Sequence, residues 1–201
     1  MAVYEEPDLV YDLNQRLGEI VLSMFEKMAA DPAVDALWYS DDIAYATGLM
    51  VSPAILRRYF FPWLKKIGDM CRAAGKPLIF HTDGVLYDVM EEIIGCGVDA
   101  LHPIEPKAME LAEIKRRYGD RLCLIGHVDV DMLARGTEEQ VRPVQCAGAQ
   151  LLSARPQHAP GIPDKAIGAG SDLEGSRAIP RGIGSPTKPQ GHKGPGGTDR
   201  R

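Results

Sequence analysis

Several patterns that identify common protein classes are missing from this sequence. No apolar run approaches the roughly 20 residues that a membrane-spanning helix requires, and the N-terminus lacks the basic and apolar regions of a signal peptide. No Gly-rich phosphate-binding motif follows a strand-like segment, which argues against a nucleotide-binding protein of the Rossmann or P-loop type. We therefore expect a cytoplasmic protein without a membrane partner.

Cysteines are few and far apart. Cys71, Cys96, Cys123 and Cys146 form no C-x-x-C pair. The sequence therefore predicts neither a disulfide framework nor a structural zinc site. Cys71 falls in a helical pattern and Cys123 in an apolar strand pattern, so buried and reduced thiols are the expected outcome.

Aromatic residues are confined to the first part of the chain. From Pro143 onward there is no Phe, Trp or Tyr, and basic residues outnumber acidic ones. The formal charge of −5 therefore combines an acidic first part with a basic last part. Neither part has the basic face with interleaved aromatics that is typical of nucleic-acid binding. We expect no nucleic-acid partner.

Helical periodicity is clearest near the N-terminus. A helix that begins at Pro7 has apolar residues at three- and four-residue steps, and we expect this face to pack on something. The face consists of Leu9, Leu13, Leu17, Ile20, Met24 and Met28. A second helix begins at Ser52-Pro53, and Pro62 must either kink it or begin another helix.

Four short apolar runs predict buried strands. They cover residues 34–39, 77–80, 98–101 and 122–125, and helix-like segments separate them. Strands joined in this way run parallel, with their carboxyl ends on one side. The expected fold class is α/β, either an open doubly wound sheet or part of a barrel. Thr137 and Gln140 form a capping box that predicts a last helix.

Acidic or imidazole side chains follow every predicted strand. In chain order they are Asp41 and Asp42, His81 and Asp83, His102 and Glu105, and His127 and Asp129. Ligands bind at the carboxyl ends of parallel strands in both open sheets and barrels, so we interpret the set as one active face. The alternative is that these are ordinary polar loops.

His81 and Asp83 are the leading pair. Residues two apart at a strand end point to the same side, so these two could share a metal ion or form an acid/base couple. Asp83 could instead cap the following helix.

The remaining acids and histidines also have two interpretations. Asp41 and Asp42 are candidates for substrate binding, as are His102 and Glu105, although adjacent acids are common in solvated loops. Glu105 could instead accept backbone N–H groups.

His127 and Asp129 are candidates for catalysis. They follow Gly126, where the backbone can approach a ligand closely. Asp129 could equally cap a helix near Met132.

Longer strings in the same region resemble a known family. They are PLIFHTD at residues 77–83, GVDALHPIEP at residues 97–106 and GDRLCLIGHVD at residues 119–129. With Ser52-Pro53 and YFFPWLKKI at residues 59–67, they make residues 36–141 similar to the uroporphyrinogen decarboxylase (URO-D) superfamily. The HPIEP and His-x-Asp-Gly motifs are closer to its methyltransferase-like branch, which includes methylcobamide:coenzyme M methyltransferases, than to porphyrin decarboxylases.

The resemblance implies a fold. Members of the superfamily are single (βα)8 barrels, which normally need about 250 residues. About four βα units are recognisable here, so the resemblance implies a partial TIM barrel over residues 1–142.

It also implies a set of reactions. Corrinoid-linked methyl transfer is the first expectation for the parent protein. Uroporphyrinogen decarboxylation in porphyrin biosynthesis, a lyase reaction, is an alternative, and an inactive truncated fragment is another. The implied substrate is a small molecule, namely a methylated compound, a corrinoid or a porphyrinogen, and a corrinoid protein is a candidate partner.

The implied cofactor is a divalent metal at the end of the second strand. In the methyltransferase branch a His-x-Cys motif and a later Cys hold a zinc ion, which binds the acceptor thiol as thiolate. The matching positions here are His81 and Asp83. Oxygen therefore replaces sulfur, which shifts the metal preference away from a soft thiolate site. A corrinoid would be the methyl donor or partner, whereas a true decarboxylase would need no cofactor.

The last part of the chain has a different character. Residues 143–201 contain scattered Gly, Pro, Ala, Ser, Arg and Gln without a sustained period. We expect this tail to be disordered, because it cannot bury enough apolar surface to offset its conformational entropy. Out-of-frame translation beyond Arg142 is one hypothesis and a genuine linker is the other; the coding DNA in the other two frames would distinguish them.

Overall fold

A computed structural model of the chain describes residues 2–141. The predictions made for the tail at residues 143–201 and for Cys146 lie outside the described residues.

Helices and short strands alternate along the chain. The helices are α1 (Ala2–Glu5), α2 (Pro7–Ala30), α3 (Pro53–Tyr59), α4 (Phe61–Ala73), α5 (Met90–Gly95), α6 (Leu111–Tyr118) and α7 (Val130–Arg135), with a 3-10 turn at Tyr87–Val89. The strands are β1 (Leu37–Ser40), β2 (Ala44–Tyr45), β3 (Gly48–Leu49), β4 (Leu78–His81), β5 (Ala100–Ile104) and β6 (Cys123–Gly126). Between residues 2 and 141, no helix combines the length and apolarity needed to cross a membrane.

A parallel sheet contains β1, β4, β5 and β6 in that order. Helices connect its successive strands, as parallel pairing requires. The α/β prediction with four strands is confirmed, and the arrangement is that of a partial TIM barrel. In the register of this sheet, Ser40 pairs with His81 and His81 pairs with His102. Three strands therefore place their carboxyl ends side by side.

The two faces of the sheet differ in burial. The buried face is formed by Leu37, Leu78, Phe80, Leu101 and Leu124, which belong to one core with the helices. Trp38, Ile79 and Cys123 alternate with these residues, and they are exposed or half-buried. Helices therefore cover one face, and the other corresponds to the interior of a barrel.

Prolines set helix boundaries, as predicted. Pro7 and Pro53 begin α2 and α3, and the Ser52 hydroxyl caps α3 by accepting the Ile55 N–H at 3.4 Å. The predicted break at Pro62 is confirmed, because the helical region divides into α3 and α4 just before it.

The third predicted strand is longer than expected. It was predicted to end at Leu101, but β5 continues to Ile104 through a cis His102–Pro103 bond. A proline is excluded from a regular strand ladder because it has no N–H, yet it is tolerated at an irregularity. The pairing of β5 with β6 shifts register between Leu101 and Ile104, which supplies that irregularity.

Other elements also differ from the prediction. The first strand begins at Leu37 rather than near Val34, and it is followed by an unpredicted hairpin of β2 and β3. The helix expected from Leu86 starts as a 3-10 turn and becomes α5 at Met90. Elements of two or three residues are too short to produce a detectable apolar period.

The predicted apolar face of α2 does not pack within the described structure. The buried residues of this helix are Gly18, Phe25 and Ala29. Leu9, Leu13, Leu17, Ile20, Met24 and Met28 are all exposed. Within residues 2–141 nothing covers this face, so the expectation that it packs on something stays a prediction. A period shows that a helix has an apolar side, but not what covers it.

The predicted burial of the cysteines is confirmed for two of the three that the structure describes. Cys71 and Cys96 are buried, Cys123 is half-buried, and all three are free. Burial raises the pKa of Cys71 and of Cys96 to about 11. Both thiols are therefore protonated at neutral pH and poor nucleophiles.

Gly68→Ala tests the packing of α4 against the turn after α5. A methyl group at Gly68 would overlap the backbone carbonyl oxygen of Cys96, which has little freedom to move. We predict that the substitution lowers the free energy of unfolding by about 2 kcal/mol in urea titrations. In the control, Gly95→Ala, the methyl group meets nothing within 4 Å, so stability should stay unchanged or rise by about 0.5 kcal/mol. Equal unfolding midpoints for the two variants would contradict this packing.

Candidate functional site

The carboxyl ends of β4, β5 and β6 surround a cavity of about 430 Å³. Six of the eight residues singled out in the sequence line it, namely His81, Asp83, His102, Glu105, His127 and Asp129. Asp41 and Asp42 follow the neighbouring strand β1 and are outside this lining. The structure therefore brings most of the predicted set to one place.

Asp42 joins the leading pair. The potential ligand atoms of Asp42, His81 and Asp83 all lie within 4.8 Å of one another. A hydrogen bond from the Asp83 N–H to Asp42 Oδ1, 3.0 Å long, connects the ends of the two strands. The sequence predicts substrate binding for Asp42, whereas the structure groups it with the candidate metal ligands. Two carboxylates and an imidazole form a donor set that suits a divalent cation.

His81 and His102 are stacked on each other. Their ring centroids are 4.8 Å apart and their Nδ1 atoms are 2.7 Å apart. One ring must donate the proton of this hydrogen bond while the other accepts it. Trp38 lies against both rings, with its centroid 4.9 Å from that of His102 and 6.0 Å from that of His81. Burial and the neighbouring His81 lower the pKa of His102, which favours its neutral form.

This contact limits how His81 could bind a metal. Its Nδ1 is engaged with His102, so Nε2 is the nitrogen that remains. Nε2 has a free lone pair only when the proton is on Nδ1, which makes His81 the donor and His102 the acceptor. His102, which was predicted to bind substrate, is thus also placed to orient His81.

Asp41 is separated from this group. Its Oδ2 accepts a hydrogen bond of 3.0 Å from the Tyr39 hydroxyl. Burial raises the pKa of Asp41, and the charge of Asp42 adds to the effect, while the Tyr39 hydrogen bond opposes it. Burial and Asp41 also raise the pKa of Tyr39. The two adjacent acids therefore have different environments.

Thr82 is a buried residue that the sequence analysis missed. Its hydroxyl accepts the Ile43 N–H at 3.0 Å and donates to the Asp83 carbonyl at 3.4 Å. Its own N–H donates to the His102 carbonyl at 2.8 Å. Threonine in a loop is usually exposed, so composition gave no signal. The one sequence feature that points to Thr82 is its position between two candidate ligands in the His-Thr-Asp motif.

Glu105 connects the loops after β4 and β5. Its Oε2 accepts the Gly84 N–H at 2.8 Å, which confirms the alternative that it binds backbone. Gly84 has a φ of +91°, and a side chain there would overlap the Tyr45 carbonyl. Glycine is therefore required where these loops meet.

The capping alternatives have opposite outcomes for Asp83 and Asp129. Asp129 caps α7, where its carboxylate accepts the N–H groups of Asp131 at 2.8 Å and Met132 at 3.4 Å. No side chain caps the turn at Tyr87–Val89 that follows Asp83. The capping alternative is thus confirmed for Asp129 and wrong for Asp83.

His127 has a defined tautomer. Its φ is 72°, and its Nδ1 lies 3.2 Å from the Ile104 carbonyl oxygen. Because a carbonyl oxygen only accepts, Nδ1 is the donor of this hydrogen bond, and Nε2 is the nitrogen outside it. A side chain at the preceding Gly126 would crowd Ile104 and Pro103. The close backbone approach predicted there is therefore made to β5.

Acidic side chains outnumber basic ones in the cavity lining. Among its described lining residues, Lys107 is the only lysine or arginine. The Lys107 ammonium lies 2.6 Å from Asp131 and 3.3 Å from Asp129, so acids already surround it. A cavity of this charge attracts cations and repels polyanions.

The chain matches the model of one protein family and resembles one solved structure. The family is described as uroporphyrinogen decarboxylase (URO-D), and the match covers residues 1–150. The solved structure is a methyltransferase from Methanosarcina mazei, with a TM-score of 0.52 and 20% sequence identity. That likeness concerns the fold, and it covers 63% of this chain and 36% of that chain. No curated protein matches the sequence.

Asp41→Asn tests the effect of burial on the site. The folded protein raises the pKa of Asp41. Protonated Asp41 therefore stabilises the folded protein. This stabilisation is fully present below the pKa of Asp41 in the unfolded chain, about 3.9, and it is lost as the pH rises through the higher pKa of the folded protein. We predict that Asn, which can still accept from Tyr39, raises the urea midpoint near neutral pH but not near pH 3. Asp35→Asn, at an exposed position, is the control. An increase in the urea midpoint that is the same at both pH values would contradict the raised pKa of Asp41.

Proposed function

The chain belongs to the uroporphyrinogen decarboxylase family, and from this membership we propose that the complete enzyme transfers a methyl group to or from a corrinoid. A divalent metal would be held by Asp42, His81 and Asp83. The observation that carries the proposal is the grouping of these ligand atoms within 4.8 Å at the ends of β1 and β4. Because the chain spans 36% of the methyltransferase that it resembles, the proposal concerns the whole barrel.

The three residues fit a metal ion in number, chemistry and spacing. Zinc bonds to nitrogen and oxygen of about 2.1 Å place two ligand atoms within about 4 Å of each other. Small side-chain adjustments would bring the present spacing into this range. Asp42 is exposed, while His81 and Asp83 are half-buried, so a fourth position is open to a substrate.

Each neighbouring residue has a part in this scheme. A bound metal supplies Lewis acidity to the methyl acceptor, and the corrinoid supplies the methyl group. His102 holds the ring of His81 so that Nε2 is available. His127 lies in the cavity lining with Nδ1 bonded to Ile104, so its Nε2 is the nitrogen that would take the proton of a thiol or hydroxyl acceptor.

The charge of the cavity favours methyl transfer over porphyrinogen decarboxylation. A substrate with many carboxylates calls for several arginines or lysines at its pocket. Lys107 is the only such residue among the described lining, and it is paired with Asp129 and Asp131. Decarboxylation of a porphyrinogen is therefore the alternative that the charge of this cavity does not support.

Metal binding provides a test that does not require a complete barrel. We predict that the metal-free chain binds zinc in calorimetric titrations, and that His81→Ala and Asp83→Ala each weaken this affinity by about tenfold or more. Asp120→Asn, at an exposed acid after α6, should leave the affinity unchanged. Unchanged affinity in both site variants would contradict the assigned ligands.

Methyl transfer itself can be followed by the absorbance of methylcobalamin. With zinc and a thiol, the whole barrel enzyme that contains this chain should consume methylcobalamin, and His127→Gln should slow the reaction by roughly 10²-fold without changing zinc affinity. An equal rate in this variant would contradict the role of His127. Zinc binding without turnover would favour the alternative that the chain is an inactive fragment.

A further inference from the structure

Thr82 is an unusual residue in the interior of the protein. Among residues 2–141, and aromatic side chains apart, it is the one buried polar or charged residue, with an exposure of 0%. A buried hydroxyl lowers stability unless it is hydrogen-bonded, and valine would fill nearly the same volume without this requirement. Thr82 is also outside the described lining of the cavity at the strand ends. Its hydroxyl therefore acts through bonds inside the protein, and not by contact with a ligand.

The hydroxyl of Thr82 joins two segments that carry candidate metal ligands. Thr82 Oγ1 accepts the Ile43 N–H at 3.0 Å, and Ile43 directly follows Asp42. In the opposite direction, the Asp83 N–H donates to Asp42 Oδ1 at 3.0 Å. The bond to Thr82 is buried, whereas the bond to Asp42 is exposed, so the former competes less with water. Two hydrogen bonds, one in each direction, thus connect the end of β1 with the end of β4.

The sheet fixes the position of Thr82 itself. Its N–H donates to the His102 carbonyl at 2.8 Å, which continues the pairing of β4 with β5 by one residue. On the other side of β4, the His81 carbonyl accepts the Asp41 N–H at 3.0 Å. The hydroxyl therefore projects from the end of a strand that is paired on both sides, and it provides a fixed point for the loop after β1.

Asp42 and Asp83 need such support. Their ligand atoms lie within the 4.8 Å of the candidate metal group, and two carboxylates at this distance repel each other when no cation is bound. Asp42 is exposed, so packing contributes little to its position. Removal of a group that orients metal ligands typically lowers metal affinity by about 10- to 100-fold.

We propose that Thr82 is a positioning residue: its hydroxyl holds Ile43, and with it the Asp42 carboxylate, beside Asp83. Thr82 touches neither the metal ion nor the substrate, and it acts by keeping two of the three ligands together before the ion binds. Its effect on metal affinity rests on the proposed function, whereas its connection of the two loops can be measured in the metal-free chain.

Zinc titration of the metal-free chain tests the effect on the ligands, with circular dichroism to verify that each variant is folded. Thr82→Val removes the hydroxyl at nearly constant volume and should weaken zinc affinity by about tenfold or more. Thr82→Ser keeps the hydroxyl and should bind zinc as the wild type does. Gly68→Ala, which should lower stability through its overlap with the Cys96 carbonyl, is the matched control and should leave zinc affinity unchanged.

Two results of this titration would overturn the positioning role. One is a Thr82→Val variant that binds zinc as tightly as the wild type while His81→Ala and Asp83→Ala bind it more weakly. The other is a Thr82→Ser variant that binds zinc as weakly as Thr82→Val, since the hydroxyl would then not be the group that matters.

Amide hydrogen exchange of the same metal-free variants tests the connection of the loops by itself. In Thr82→Val the N–H groups of Ile43 and Asp83 should both exchange about fivefold faster or more, because loss of the first bond loosens the second. Thr82→Ser and Gly68→Ala should exchange at the wild-type rate at both positions. Faster exchange at Ile43 alone would overturn the inference without affecting the proposed metal site. A wild-type chain that binds no zinc but shows the expected exchange would overturn the metal site and confirm that Thr82 holds Asp42 beside Asp83.

Discussion

The common register of the parallel strands is the constraint on which the candidate site depends. Ser40, His81 and His102 occupy equivalent positions on β1, β4 and β5. The acids that follow β1 are therefore brought next to the histidine and acid at the end of β4. A shift of one residue would turn His81 to the helix-covered face of the sheet and separate it from these acids.

Backbone hydrogen bonds then hold the loops in place. Asp42 accepts from Asp83, Thr82 accepts from Ile43, and Glu105 accepts from Gly84. These polar groups connect the loops after β1, β4 and β5 to one another. Several side chains of the site thus serve the structure as well as any chemistry, and a ligand would meet an arrangement that is largely formed beforehand.

Ionisable groups in the site are held in unfavourable environments. Burial raises the pKa of Asp41 and lowers the pKa of His102, so the fold disfavours the charged form of each. Such costs are tolerated where function requires particular groups.

The sequence by itself determined the local elements and the candidate residues. The four strands, the helix starts at Pro7 and Pro53, and the His-x-Asp motif all depend on short-range periodicity or on the backbone chemistry of proline, which act within a few residues.

Only the tertiary structure decided how these residues combine. It placed Asp42 with His81 and Asp83, gave Asp41 to Tyr39, and made His102 the partner of His81. It also carried β5 through Pro103 and left the apolar face of α2 exposed. The physical reason is that strand register and the covering of helix faces arise from contacts between segments far apart in the chain, which no local pattern encodes.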